Sequence, residues 1–196
     1  MARAARTSTP AKNGVRDDPA SAYDMTHADE GEEQRTLACI VDNEPGVLAR
    51  VVGLFAARGY NIESLTVAEI DRNAHQSRIT IVTSGTNHVL EQIEQQLLRL
   101  VPVIKVIDVT NSTGGIEREL ALVKVAATGE KRVESLRISE IFRARVIDTT
   151  NESFIFEVTG ASQKIDQFVE LMRPLGLVEV SRTGVLSIQR GKEKAG

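Results

Sequence analysis

The sequence has very little cysteine and few aromatic residues, and each scarcity excludes a class of protein. Cys39 is the only cysteine among 196 residues, so no disulfide can form within the chain. There is no tryptophan, and two tyrosines and five phenylalanines leave little material for base-stacking platforms. The net charge of −3 gives no electrostatic reason to expect a nucleic-acid backbone as a partner. We therefore expect no nucleic acid among the partners.

Metal sites, cofactor loops and membrane spans have equally little support. His27, His75 and His88 are widely separated and lack the spacing of metal ligands. Phosphate-binding loops and dinucleotide fingerprints are absent. No apolar run approaches the roughly 20 residues that cross a bilayer, so we expect no membrane contact. Together with the single cysteine, which we expect in the core, these features predict a cytoplasmic protein that holds no metal or cofactor of its own.

The first 34 residues differ in kind from the rest. They show no apolar periodicity, and we predict that residues 1–34 form a disordered extension and residues 191–196 a tail. Residues 1–16 are rich in arginine and free of acidic residues, which also suits a transit peptide. Asp17 and Asp18 interrupt that pattern early, and a start at Met25 is an equally simple explanation.

From residue 35 onward the periodicity of apolar residues predicts an α+β fold. Two successive stretches, 35–110 and 117–190, each show the order β-α-β-β-α-β of a ferredoxin-like unit, and a linker composition at 111–115 separates them. In the first unit the predicted strands are 37–41, 60–69, 77–83 and 101–109, and the helical stripes run from Val47 to Phe55 and from Val89 to Leu100. In the second unit the predicted strands are 120–126, 144–149, 154–158 and 177–180, and the helices lie around 133–142 and 165–172.

The first sheet is predicted to be buried on both faces. Leu65 and Val67 lie on one face of their strand and Ile62 and Ala68 on the other, and residues 101–109 are apolar almost throughout. A second copy of the domain, or an edge-to-edge extension of the sheet, is the simplest cover for the second face. We therefore predict a homodimer through the first unit.

The segment between the first strand and the first helix has the features of a carboxylate site. A strand that leads through Asn43, Pro45 and Gly46 into a helix presents free backbone N–H groups and the positive end of the helix dipole. We expect Asn43 to cap the helix and Gly46 to admit a close approach. Asn61, just past Gly59, is expected to converge with Asn43 on one edge of the sheet. An ordinary capped helix and an ordinary turn residue remain open as alternatives.

Residues 43–67 strongly resemble the small regulatory subunit of acetolactate (acetohydroxyacid) synthase. The resemblance rests on Asn-x-Pro-Gly-Val-Leu near the start of that stretch and on Gly-Tyr-Asn-Ile-Glu-Ser-Leu near its end. Further matches at 77–81, 117–125, 140–144 and 182–184 extend it from about residue 35 to residue 190. The Asn-Glu-Pro-Gly part alone indicates only an amino-acid-binding ACT domain.

The resemblance implies an N-terminal ACT domain, a C-terminal ferredoxin-like domain and a homodimer through the ACT domains. It implies no catalytic activity for this chain. The partner it implies is a large catalytic subunit that carries thiamine diphosphate, Mg²⁺ and FAD, whose activity the small subunit raises and brings under feedback inhibition by valine or a related branched-chain amino acid.

The resemblance also implies which residues contact the ligand. Asn43, Gly46 and Asn61 match the family's ligand-contacting residues, with Asn61 reaching across from the neighbouring protomer. Val47 and Leu48 match the start of the helix beside the pocket, and with Ile62 they are candidates to line it. Residues 127–130 of the second unit lack this arrangement, so we expect no equivalent pocket there.

Two other functions remain as alternatives. A stand-alone ACT-domain amino-acid sensor would share the same site. An RNA-binding module would share the βαββαβ order, but it needs exposed aromatics on the middle strands, and only the predicted strand at 154–158 supplies any.

Overall fold

Each half of the chain forms an antiparallel sheet that packs against two helices in the computed structural model, which describes residues 31–111 and 115–192. The first half comprises β1 Glu33–Asp42, α1 Val47–Arg58, β2 Ser64–Asp71, β3 Gln76–Gly85, α2 Asn87–Leu98 and β4 Val103–Asp108. Its strands lie in the order β2-β3-β1-β4. This confirms the predicted α+β class and the βαββαβ order of the first unit.

The second half repeats the architecture and adds one strand that the sequence did not predict. It comprises β5 Ile116–Ala126, α3 Gly129–Phe142, β6 Arg145–Thr149, β7 Ser153–Gly160, α4 Ser162–Gly176, β8 Leu177–Arg182 and β9 Leu186–Ile188. The strand order β6-β7-β5-β8 is the same as in the first half. The extra strand β9 pairs with the beginning of β5, at Ile116–Arg118. None of the helices in these described parts is long and apolar enough to span a membrane.

The apolar stripes of α1 and α2 fill the first core. Val51, Phe55, Ile93 and Leu97 are buried against the sheet, as their spacing predicts. Leu90 is fully buried where Val89 was expected, and Leu48 and Val52, predicted on the same face as Val51, are exposed. The helix α1 ends at Gly59, whose φ of 69° is the left-handed conformation expected there. Cys39 is buried in the same core, as expected, and burial raises the pKa of its thiol to about 12.

Several predicted boundaries were wrong. The strand β1 begins at Glu33, inside the segment predicted as an extension, because Glu33 pairs with Gly85 although its polar side chain gives no apolar signal. The rest of that segment, residues 1–30, and residues 193–196 of the predicted tail lie outside the described residues. The strand β4 begins at Val103, and Val101 is 94% exposed in the turn before it. That turn is fixed by the Val103 N–H, which donates to the Leu100 carbonyl at 2.9 Å.

The central strands β1 and β3 are buried on both faces over most of their length, but the predicted burial of β2 is wrong, because Val67 is 47% exposed and Ala68 is exposed on the other face. The cover of the second face is partly the chain itself. Ala38, Ile40 and Val82 face away from α1 and α2 and are still buried. At the β2 edge of this face, Val185 of the second half hydrogen-bonds to β2. The buried second face is therefore not, by itself, an argument for a second copy of the chain.

The aromatic residues of the second half lie in its core. Phe154 and Phe156 on β7 are buried, and Phe156 contacts Phe168 of α4 edge-on at a centroid distance of 6.0 Å. Rings packed under the helices cannot stack on bases. The middle strand therefore offers no platform for the RNA-binding alternative.

Candidate ligand site at the start of the first helix

The turn between β1 and α1 is held by backbone hydrogen bonds that leave its outer side open. The Asn43 N–H donates to the His75 carbonyl at 2.6 Å, and the Glu44 N–H donates to the Asp42 carbonyl at 2.9 Å. Gly46 immediately precedes the helix with a φ of 88°, which glycine adopts without steric cost. No atom lies within 4 Å of where a Cβ on Gly46 would stand. The chain thus exposes bare backbone at this point.

The first turn of α1 has N–H groups without acceptors. Within the described residues, the amides of Gly46, Leu48 and Ala49 donate to no other group, and no acidic side chain lies in the first turn. The nearest carboxylate in the sequence, that of Glu44, is bound by Arg50 at 2.9 Å. Free N–H groups at the positive end of a helix dipole attract an anion. The site is therefore suited to a carboxylate of a ligand.

Asn43 does not cap the helix, contrary to the expectation. The residue in the capping position is Gly46, three residues later, because the turn is longer than a direct strand-to-helix junction. The side chain of Asn43 is exposed and hydrogen-bonds to nothing in the part of the chain that the structure describes. It remains available to a ligand.

Asn43 and Asn61 lie at opposite ends of the sheet, so their expected convergence within one chain is wrong. The carbonyl of Asn61 accepts a hydrogen bond from the Thr83 hydroxyl at 2.6 Å, and Thr83 pairs with Arg35 near the beginning of β1. Asn43 follows the end of β1, eight residues after Arg35, which is about 26 Å along a strand. The reason is the topology: α1 carries the chain back to the beginning of β1 before β2 starts.

The apolar candidates differ in accessibility. Val47 is buried in the core, Ile62 is half-buried against it, and Leu48 is exposed on α1. Two further exposed residues were not singled out from the sequence as part of this region, Val52 on α1 and Val67 on β2. The sequence does indicate that Val52 is exposed, because Val51 and Val52 are adjacent on a helix and cannot both point into the core. Val67 pairs with Ile79, so it lies on the face of the sheet that the helices cover.

The second half does not repeat this arrangement. Glu130 places a carboxylate in the first turn of α3, where an anion would otherwise be attracted. The turn before α3 is therefore less suited to a ligand carboxylate than the turn before α1.

The fold and the site define a class of protein, a regulatory ACT domain joined to a ferredoxin-like domain. Comparisons with known proteins narrow that class. A family model described as an AHAS small subunit-like ACT domain matches residues 37–105, and one described as the small subunit of acetolactate synthase matches residues 118–191.

Curated relatives and a solved structure agree with the family models. The chain is 48% identical to a probable acetolactate synthase small subunit of Archaeoglobus fulgidus, over 82% of this chain and 99% of the relative. It is 46% identical to the isozyme 3 small subunit of Escherichia coli, over 81% and 96%. The crystal structure of the acetolactate synthase small subunit from Thermotoga maritima aligns with a TM-score of 0.73 and 37% identity, over 82% of this chain and 99% of that one.

The chain belongs to the family of acetolactate synthase small subunits. The family supports the role of a regulatory subunit.

Proposed function

We propose that two copies of this chain bind a branched-chain amino acid, valine foremost, between their ACT domains, and that the bound ligand inhibits a synthase catalytic subunit which the chain otherwise activates. The observation that carries this proposal is the group of acceptor-free amides at Gly46, Leu48 and Ala49. They bind the ligand's carboxylate at the positive end of the α1 dipole. The neighbouring Glu44 carboxylate does not compete, because Arg50 holds it.

The ligand's ammonium group needs acceptors, and the free side-chain carbonyls of Asn43 and Asn61 provide them. Both side chains are exposed. Since they lie at opposite ends of one sheet, a shared ligand requires Asn43 of one protomer and Asn61 of another. The site is therefore complete only in a dimer.

An antiparallel pairing of β2 with β2 of the second copy brings these residues together. The strand β2 lies at the edge of the sheet, and none of the described strands pairs with its outer side. In such a pair the beginning of one strand lies opposite the end of the other. The end of β2, Asp71, pairs with Gln76, next to His75, which holds Asn43. Asn61 of the partner subunit, three residues before its β2, thus arrives at the Asn43 end.

The same pairing covers exposed apolar surface. When a second ACT domain extends the sheet, three exposed apolar side chains on its helix side lose contact with water: Val67 at the centre of β2, and Leu48 and Val52 on α1. Leu48 lies two residues beyond Gly46 and contacts the branched side chain of the ligand, and the half-buried Ile62 of the partner subunit, next to Asn61, contacts it from the other side. Val47, buried beneath Leu48, supports this wall.

The chain acts through a catalytic partner. We propose that this large subunit carries the thiamine diphosphate, Mg²⁺ and FAD of the synthase, and that the chain itself holds none of them. A ligand of the small subunit changes the partner's activity only if it prefers one arrangement of the complex, and a coupling of about 1–3 kcal/mol changes an affinity roughly 5- to 150-fold.

The test compares two lysine substitutions on opposite edges of the same sheet. Val67→Lys on β2 places like charges across the proposed two-fold axis, whereas Ile104→Lys alters β4; the two residues are 47% and 49% exposed. We expect light scattering to give a two-chain mass for the wild type and for Ile104→Lys, and a one-chain mass for Val67→Lys. Calorimetric titration with valine is expected to show binding only for the two dimeric proteins.

Three results would count against the proposal. The first is a one-chain mass for the wild type at micromolar concentration, and the second is unchanged valine binding by a monomeric Val67→Lys. The third is failure to co-purify with a synthase catalytic subunit, which would favour a stand-alone sensor.

A further inference from the structure

The two domains of the chain meet at a pair of hydrogen bonds between β2 and the residues that follow β8. The Val185 N–H donates to the Ser64 hydroxyl at 3.0 Å, and the Thr66 hydroxyl donates to the Val185 carbonyl at 3.0 Å. We call Ser64, Thr66 and Val185 the β2 clamp. Val185 is buried, so water does not compete effectively for these bonds. The clamp therefore fixes β2 directly to the second domain.

The backbone beside the clamp approaches β2 as closely as atoms allow. Gly184 has a φ of +81°, and a Cβ at this position would stand 2.8 Å from the hydroxyl oxygen of Ser64 and 2.8 Å from the methyl carbon of Thr66. Only a residue without a side chain fits there. A side chain at position 184 would therefore push this turn and β2 apart, and a movement of β2 away from the turn breaks the hydrogen bonds of the clamp.

The other side of the clamp is anchored in the second domain. The Arg182 guanidinium donates to both carboxylate oxygens of Glu119, at 2.6 and 2.7 Å, and to Asp166 of α4 at 2.6 Å. The Thr183 N–H donates to the Leu120 carbonyl at 3.0 Å. A bidentate pair fixes geometry as well as charge. Val185 therefore moves with the second domain as a unit.

On the ACT side, β2 leads directly from the proposed ligand residue. Ser64 follows Asn61 by three residues, a reach of at most about 11 Å of chain. The carbonyl of Asn61 is held by the Thr83 hydroxyl, and the Glu63 N–H donates to the Val82 carbonyl at 2.8 Å. The intervening segment is tied to β3 at both points. A shift of Asn61 is therefore passed to Ser64 rather than absorbed by a loose loop.

We propose that the β2 clamp couples occupancy of the amino-acid site to the position of the second domain. Ser64, Thr66 and Gly184 act here as positioning residues, since none of them is part of the ligand site. The inference rests on the proposed function, because it needs a ligand that engages Asn61. Without the clamp, β2 responds to the ligand and the second domain does not.

Coupling between two binding events is reciprocal, and this gives the readout. We would measure the dissociation constant of valine for the small subunit alone and for its complex with the catalytic subunit. In the wild type the two constants differ, because the catalytic subunit favours one position of the second domain. The double variant Ser64→Ala, Thr66→Val removes both hydroxyls and keeps the shapes. We expect the ratio of its two dissociation constants for valine to be about one. The variant small subunit should still bind valine on its own and should still activate the catalytic subunit.

A matched control removes a buried hydroxyl elsewhere. Ser139→Ala deletes a hydroxyl of α3 that donates to the Leu136 carbonyl at 2.7 Å, and it leaves the clamp intact. We expect this variant to keep the wild-type ratio. Gly184→Ala tests the same contact independently, since it keeps both hydroxyls and forces the turn away from β2. Like the double variant, it is expected to bring the ratio of the two dissociation constants to about one.

The possible results distinguish a failure of the coupling by the β2 clamp from a failure of the proposed amino-acid binding. If the wild type binds no branched-chain amino acid, the proposed function fails. If the wild type binds valine and is inhibited, but the double variant keeps the wild-type ratio, the clamp does not couple the domains. Loss of valine binding by a dimeric double variant would also overturn the inference, because the clamp would then support the site and not the coupling.

Discussion

Replacing Gly46 with aspartate tests the carboxylate site directly. The new side chain starts from a position with no neighbouring atom within 4 Å, so it meets no steric obstacle. The φ of 88° is strained for most residues, but aspartate and asparagine tolerate the left-handed region better than others because their short polar side chains hydrogen-bond locally. The substitution therefore adds a charge beside the free amides without remodelling the turn.

The expected loss of affinity follows from the distance between the carboxylate introduced by Gly46→Asp and the carboxylate of the bound valine. At a separation of about 4 Å the repulsion is about 4 kcal/mol for an effective dielectric constant near 20, and about 1 kcal/mol in bulk water. Since about 1.4 kcal/mol is a factor of ten, the affinity for valine falls by between roughly 5-fold and roughly 1000-fold. The exposure of Gly46 places the effect between these limits. The aspartate also competes for the amides of Leu48 and Ala49, which adds to the loss.

Gly46→Asn is the matched control, because it has the same shape and the same backbone strain without the charge. Calorimetric titration with valine measures the affinity, and the reconstituted synthase measures inhibition. We expect Gly46→Asp to activate the catalytic subunit normally but to escape feedback, while Gly46→Asn keeps most of both. Equal valine affinities in the two variants would refute the role of these amides, as would normal inhibition of the aspartate variant.

Two further predictions concern stability. Arg182→Met leaves the carboxylate of Glu119, a residue only 5% exposed, without its bidentate partner. We expect the free energy of unfolding to fall by about 2–3 kcal/mol, which is less than for a fully buried pair because the Arg182 side chain is 35% exposed. Urea unfolding measures this free energy, and adding Glu119→Gln to Arg182→Met should recover part of the loss. An unfolding midpoint of Arg182→Met equal to that of the wild type would contradict the reasoning. Burial raises the pKa of Cys39 from 9.0 to about 12, so the folded chain keeps a proton that the unfolded chain releases, and the free energy of unfolding falls as pH rises through this window. In Cys39→Ala the free energy of unfolding should fall less steeply with pH than in the wild type. If the two proteins gave parallel curves of unfolding free energy against pH, Cys39 would not be the cause of the fall.

The fold was predictable because the two helices of the first half carry a regular apolar stripe. Their buried residues follow the three- and four-residue spacing almost without exception. The helix α3 gave a weaker signal for a physical reason. The residues it buries completely are Ser135 and Ser139, whose hydroxyls donate to carbonyls of their own helix, while Ile141, taken from the sequence as part of the inner face, is 77% exposed.

The candidate site was less predictable, because its geometry depends on non-local pairing. The sequence indicated a helix start with free amides, and the structure has them. It did not indicate that Gly46, and not Asn43, would precede the helix, since both residue types are common at that position. The clamp was also hidden, because Val185 is 121 positions from Ser64 and 119 from Thr66 and belongs to the other domain.

In the proposed site, the placement of the two asparagines links ligand binding to dimer formation. In a ferredoxin-like unit the first helix begins at one end of the sheet, and the strand that follows it begins at the other. A ligand that needs both points cannot be held by one chain, so a protomer alone offers only half of the site. Valine that binds only to the dimer must stabilise the dimer by the same free energy by which dimer formation strengthens valine binding. In the proposed dimer the sensitivity to valine is therefore set by two quantities, the contacts at Gly46 and the strength of the β2 edge. We expect sequence changes far from the ligand, at Val67 for example, to shift the feedback as changes in the site do.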